Sequence, residues 1–160
     1  MIGEGYVSGW RIFVSVLAAL ALTIFHLPQW LDILRPDILL LVVIYWSLTA
    51  PRIAGLTFAW LCGFAIDVNT GVVFGQHALA FLLVATITNS YQLRMRIFPI
   101  WQQAFAVFLL LAVYQIVVFL IDGYIGKPVV TGLRWIPAIT GALLWPVAVA
   151  VMDTWNRRRR

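Results

Sequence analysis

The charged residues of this chain are spaced so that they leave six long apolar stretches, and this spacing constrains the fold more than any other feature. The stretches free of Asp, Glu, Lys and Arg are residues 12–31, 38–51, 53–66, 68–93, 97–121 and 135–152. A helix needs roughly 20 mostly apolar residues to span a bilayer, and four of the stretches have 18 residues or more. Apolar residues make up 63% of the chain, against about 45–50% in soluble domains. We therefore expect an all-α integral membrane protein, which excludes a soluble enzyme, a nucleic-acid-binding domain and a disordered chain.

Six transmembrane helices in a single domain are the predicted architecture. The predicted spans are approximately residues 10–29, 36–51, 53–68, 72–92, 98–121 and 130–152. Only Pro51-Arg52 separates the second and third stretches, so they form either two short spans or a hairpin that enters and leaves on one side; we favour two spans. Ala19-Leu20-Ala21 has the form of a signal-peptidase site but lies inside the first apolar run, so we expect that segment to be retained.

The charges also predict an orientation, because they divide unequally between the two sides of a six-span chain. One side receives eight of the 11 basic residues, and the other receives four of the six acidic residues. The resulting net charges are +6 and −1. Since short cytoplasmic connections are enriched in Lys and Arg, both termini are expected in the cytoplasm. The excess of basic residues therefore indicates the orientation of the chain in the membrane, and no nucleic-acid partner is expected.

The best candidate site in the apolar part of the chain is the series Gly63-x-x-x-Asp67-x-x-x-Gly71-x-x-x-Gly75. Glycines four residues apart leave a smooth helix face that another backbone can approach closely. Residues 67–71 also have the composition of a turn, in which Gly71 supplies a positive φ. We expect Gly63 to pack within a helix and Asp67 to accept hydrogen bonds from backbone amides where the next helix begins. Contact with a substrate or partner is the alternative role.

Two further groups of polar residues are candidates for partner contact. Gln115 and Asp122 are seven residues apart and share a stripe on the fifth predicted span, which faces either a partner or the bundle interior. The C-terminal run Arg157-Arg158-Arg159-Arg160 is either the positive flank of the last span or a site for anionic headgroups or an acidic cytoplasmic partner.

Residues that carry out chemistry inside membranes are scarce in this sequence. No glutamate lies within a predicted span, no nucleophile has a base beside it, and no glycine-rich phosphate loop occurs. The two histidines stand in no metal-binding motif and Cys62 is the single cysteine, so we expect neither a metal site nor an internal disulfide. The sequence favours a protein without cofactor or catalytic residues that works by contact.

Several short motifs, in order along the chain, resemble those of the MreD family of bacterial rod shape-determining membrane proteins. These motifs are Arg35-Pro36-Asp37 with an apolar run ending in Tyr45-Trp46, the Gly63 to Gly75 series, Tyr91-Gln92, Trp101-Gln102-Gln103-Ala104, and Leu144-Trp145-Pro146 before the basic tail. Together they run from about residue 10 to residue 155. The order, the spacing and the matching length carry the resemblance.

The resemblance implies a subunit of the cell-elongation machinery in the bacterial inner membrane, which supports peptidoglycan synthesis and rod shape. Its implied partners are MreC by direct binding, with MreB, RodA and its partner transpeptidase in the same assembly, and membrane lipids. The family is also similar in architecture to the six-helix substrate-binding subunits of energy-coupling-factor transporters. A substrate-binding subunit of a vitamin-type transporter is therefore the alternative function. Convergence of Asp67, His77 and Asp122 on one cavity would favour a third function, that of an intramembrane enzyme.

Overall fold

The computed structural model describes residues 9–25, 34–71, 75–127 and 132–157. The α-helices in these residues are α1 (Gly9–Ile24), α2 (Ile38–Thr49), α3 (Leu56–Thr70), α4 (Gln76–Ile97), α5 (Ile100–Ile125) and α6 (Ile136–Arg157). A 3₁₀ turn, Leu133–Trp135, leads directly into α6. Within the described residues every regular element is helical, which confirms the prediction of an all-α chain with six helices.

Hydrogen bonds show that successive helices run in alternating directions. At one end of the bundle, Arg11 of α1 donates to the Asn156 side chain of α6 at 2.7 Å, and the Tyr45 hydroxyl of α2 donates to Asp153 of α6 at 2.6 Å. We call this the basic end. At the opposite, acidic end, bonds described below join the start of α2, the end of α3, the start of α4, the end of α5 and the 3₁₀ turn. Each helix therefore crosses from one end to the other.

The centre of the bundle is α2. Nine of its residues are buried, including Trp46, whose indole nitrogen donates to Ser15 of α1 at 2.8 Å. α4 packs against α2, α3 and α5, while α1 and α6 contact α2 from other directions. Since a helix that is apolar on every face is typical of a fully surrounded position, the sequence of α2, which is apolar except for Ser47 and Thr49, explains its place in the fold.

The helices differ in their capacity to cross a bilayer. Among the described residues, Ile100–Ile125 and Leu133–Asn156 are long and apolar enough to span a membrane by length and composition. The apolar helices α1, α2 and α3 have 16, 12 and 15 residues. A 12-residue helix is about 18 Å long, against roughly 30 Å of hydrocarbon, so the two short spans proposed for residues 36–51 and 53–68 stay predictions.

Candidate functional site

The junction between α3 and α4 is built around the carboxylate of Asp67. This side chain is fully buried and accepts hydrogen bonds from the backbone N–H groups of Gly75 at 2.9 Å, His77 at 2.9 Å and Ala78 at 3.2 Å. The first N–H groups of any helix lack partners within the helix, and a negative charge there is favoured by the helix dipole. Asp67 of α3 thus caps the start of α4, which confirms the hydrogen bonding predicted for it.

His77 forms the second half of this junction. Its Nδ1 atom lies 2.8 Å from Oδ1 of Asp67. Because an ionised carboxylate only accepts hydrogen bonds, the Nδ1 atom carries the hydrogen, and a neutral ring then presents Nε2 as an acceptor. The carboxylate fixes the orientation of the ring and leaves its second nitrogen for other contacts.

Gly63 lies where the backbones of α3 and α4 come closest. A Cβ atom at this position would lie 2.5 Å from Cα of Ala78 and 2.6 Å from the carbonyl oxygen of His77. Real side chains do not approach backbone atoms so closely, so this position needs a glycine. Gly63 therefore allows α3 and α4 of the same chain to pack closely, as expected from the sequence.

The other two glycines of the series have a different role from the predicted smooth stripe. α3 ends at Thr70, and both Gly71 and Gly75 have positive φ angles, 62° and 102°. A Cβ atom at either position would meet nothing within 4 Å. The positive φ predicted for Gly71 is therefore confirmed, and Gly75 shares this left-handed conformation, which glycine adopts without steric cost. Among the described residues no helix packs against either position, and a role for these two glycines in partner binding stays a prediction.

Asp122 forms a second polar cluster at the acidic end. It accepts a hydrogen bond from Nε2 of Gln76 at 2.8 Å and one from the guanidinium of Arg134, and Lys127 Nζ lies 3.9 Å away. This cluster joins the start of α4, the end of α5 and the turn that leads into α6. One buried carboxylate therefore fixes three segments, and its cationic partners offset the cost of burying its charge.

Gln115 reaches the loop that precedes α2. Its Nε2 atom donates to Oδ2 of Asp37 at 3.4 Å. Gln115 and Asp122 are both buried, so the stripe that the sequence left open faces the bundle interior. A role for either side chain in partner binding stays a prediction.

A cavity of about 500 Å³ lies at the acidic end, and we call it the acidic-end cavity. Its walls include Arg35, Asp37, His77, Phe81 and Tyr114. Asp67 and Asp122 are not among the residues that line it. Although Asp67 and His77 are in contact, Asp67 and Asp122 do not join His77 in lining this cavity. In the part of the chain that the structure describes, no three His, Cys, Asp or Glu side chains are grouped to hold a metal ion.

Comparison with known proteins shows the family to which the chain belongs. The family model for the rod shape-determining protein MreD matches residues 5–154. The chain belongs to the MreD family. The rod shape-determining protein MreD of Haemophilus influenzae is 26% identical to it over 131 residues, which are 82% of this chain and 81% of that protein. No solved structure matches the chain.

Membership of the MreD family confirms the resemblance drawn from the sequence motifs and makes the chain a membrane protein with a role in rod shape. The four arginines predicted as a contact site at the C-terminal end cannot be placed, because residues 158–160 and the side chain of Arg157 lie outside the described part of the chain. The roles predicted for these arginines, as a span flank or a surface for headgroups or an acidic partner, stay predictions.

Sequence reasoning missed the roles of two residues of the acidic end, Arg134 and Tyr114. The predicted last span, residues 130–152, contains Arg134 but assigns it no partner, and no sequence pattern points to Tyr114. A signal for Arg134 existed, since it follows Asp122 by 12 residues across a short connection and an acid near a span end favours a cationic partner. Tyr114 follows no local rule, because its place in the cavity depends on how α5 packs against α4.

Proposed function

We propose that this chain is a non-enzymatic inner-membrane subunit of the cell-elongation assembly that binds MreC and supports peptidoglycan synthesis. The observation that carries the proposal is the match to the MreD family over nearly the whole chain. Much of α5 and α6 presents exposed large apolar side chains, which supports a protein that works through contacts with lipids and other membrane proteins. MreB, RodA and its partner transpeptidase belong to the same proposed assembly.

Co-purification tests the direct contact. The full chain is co-expressed with affinity-tagged MreC from the same organism, and a matched control carries MreC whose membrane span is replaced by an unrelated apolar helix. We expect the chain to elute with intact MreC in a fixed ratio and to be lost with the control. Equal recovery with both, or recovery with neither after crosslinking in cells, would contradict direct binding within the membrane.

We also propose a multi-pass arrangement in the inner membrane with both termini in the cytoplasm. The alternation of the helices supports an even number of crossings, and Arg11, Arg94 and Arg96 at the basic end support its cytoplasmic placement. Reporter fusions test this arrangement. A phosphatase and a fluorescent protein are each fused at two positions, after residue 126 and after the C-terminus. Phosphatase activity is expected only from the first position and fluorescence only from the second; the reverse pattern would overturn the orientation.

The alternative function, a substrate-binding subunit of a vitamin-type transporter, has one observation in its favour. The acidic-end cavity has a volume within the range of small-molecule sites, about 300–1,000 Å³. The likeness to energy-coupling-factor subunits is supported by the six-helix architecture alone. Saturable binding of a vitamin together with co-purification of a transporter ATPase would favour this function over the contact role.

A further inference from the structure

The acidic-end cavity contains a polar group that is nearly buried and lacks a partner. Tyr114 is 5% exposed and lines the cavity. Its ring is held by Phe81, with centroids 5.8 Å apart, and by His77, with centroids 6.1 Å apart. Among the described residues no hydrogen bond reaches its hydroxyl. The hydroxyl is not among the polar atoms that are buried without a partner, so it opens onto the cavity, and a ligand there can supply the missing hydrogen bond.

Several of the other polar groups of the cavity can accept hydrogen bonds, and the amide of Asn69 can both donate and accept. The hydroxyls of Thr23 and Thr70 donate back to Ala19 and Ile66 of their own helices, both at 2.8 Å, so their oxygen lone pairs are left to accept. The Nε2 atom of His77 is an acceptor in the tautomer that Asp67 selects. A ligand rich in N–H or O–H donors therefore matches this set.

The charged side chains of the cavity wall further restrict the class of ligand that the cavity can bind. Arg35 and Asp37 both line the cavity, one with a guanidinium and the other with a carboxylate. A ligand with a single charge would meet a like charge, and its burial would carry a desolvation cost. A ligand with both charges meets a partner for each, and the aromatic side chains of Phe81 and Tyr114 in the cavity wall add attraction for a cation.

From these contacts we propose that the acidic-end cavity binds a zwitterion that combines a primary ammonium group with an anionic oxygen group. The ammonium donates to Asp37 and His77, and the anionic group accepts from Arg35 and from the Tyr114 hydroxyl. The headgroup of phosphatidylethanolamine and free glycerophosphoethanolamine share this chemistry. This site is independent of the proposed binding of MreC.

Native mass spectrometry of the full chain with defined lipids tests the proposal. Phosphatidylcholine is the matched control ligand, since it carries the same charges but its quaternary ammonium has no N–H donor. We expect phosphatidylethanolamine to be retained about tenfold better than phosphatidylcholine or phosphatidylglycerol, because one or two hydrogen bonds are involved. Competition by glycerophosphoethanolamine would assign the site to a soluble zwitterion, and its failure to compete would assign it to the lipid.

Two variants test whether the retained lipid is bound in the acidic-end cavity. Tyr114→Phe removes only the hydroxyl and is expected to lower retention about fivefold, and Asp37→Asn, which removes the charge, is expected to lower it as well. Tyr91→Phe is the matched control, because Tyr91 is exposed on α4 and does not line the cavity. The unfolding temperature of lipid-free Tyr114→Phe should equal that of the wild type. Equal retention of phosphatidylethanolamine and phosphatidylcholine, retention of no probe, or unchanged retention in Tyr114→Phe would overturn the proposal.

Discussion

Replacing Gly63 by leucine is expected to lower the free energy of unfolding by at least about 3 kcal/mol, the upper end of overpacking costs. The Cβ atom alone would lie 2.5 Å from a backbone atom of Ala78, and backbone cannot move aside as a flexible side chain can. α3 and α4 must separate, which also draws Asp67 away from the amides that it caps. Thermal unfolding in detergent, followed by circular dichroism, measures the loss.

Gly123→Leu is the matched control for this substitution. Gly123 is also helical, in α5, and a Cβ atom there would meet nothing within 4 Å. We expect its unfolding temperature to stay close to that of the wild type. Gly63→Ala should fall between the two, since it adds the clashing atom and nothing more. A Gly63→Leu protein with wild-type unfolding temperature, and with normal cell shape when it replaces the native chain, would refute close packing at this position.

Replacing Asp67 by alanine is expected to cost about 3 kcal/mol or more, because three backbone N–H groups, one buried and two partly buried, and the His77 ring lose their acceptor together. Asp67→Asn should cost less, since the amide keeps one oxygen but offers N–H groups to other donors. Helix α4 is expected to fray at its first turn, and hydrogen exchange at residues 75–78 should rise more than exchange at the middle of α4.

Asn69→Ala provides the comparison for Asp67, because Asn69 is an exposed residue in the same last turn of α3. Surface changes of this kind usually stay within about 0.5 kcal/mol. If Asp67→Ala unfolds at the same temperature as Asn69→Ala, the capping bonds contribute nothing to stability. If it unfolds at a lower temperature but exchange is uniform along α4, the role assigned to Asp67 at the start of α4 is wrong.

Hydrogen bonds were best predicted from the sequence where the two bonded residues are close along the chain. Asp67 and the amides it caps are separated by eight to 11 residues, with a glycine turn between them. Turn composition and the known preference of helix starts for carboxylates were sufficient to connect them. By contrast, Tyr45 and Asp153 are 108 residues apart, and their pairing follows from the packing of α2 against α6, which no local pattern specifies.

Two helices continue past charged residues whose side chains are satisfied. The predicted spans end at residues 68 and 121, whereas α3 continues to Thr70 and α5 continues past Asp122 to Ile125; the span bounds themselves stay predictions. A carboxylate with hydrogen-bond partners no longer needs water, so the helix does not end there. α4 likewise runs on to Ile97 through Arg94 and Arg96 in its last turn, where cations favour the helix dipole.

The central place of α2 has a consequence for the order in which the protein is assembled. α2 is synthesised after α1, whereas α4 and α6, which pack against it, are synthesised later. Before then α1 and α3 are the described helices that α2 can contact, and the Trp46–Ser15 bond can already form between α2 and α1. A surface that is apolar on all sides tolerates lipid during that interval. The Tyr45–Asp153 and Arg11–Asn156 bonds can form only after α6 has been synthesised.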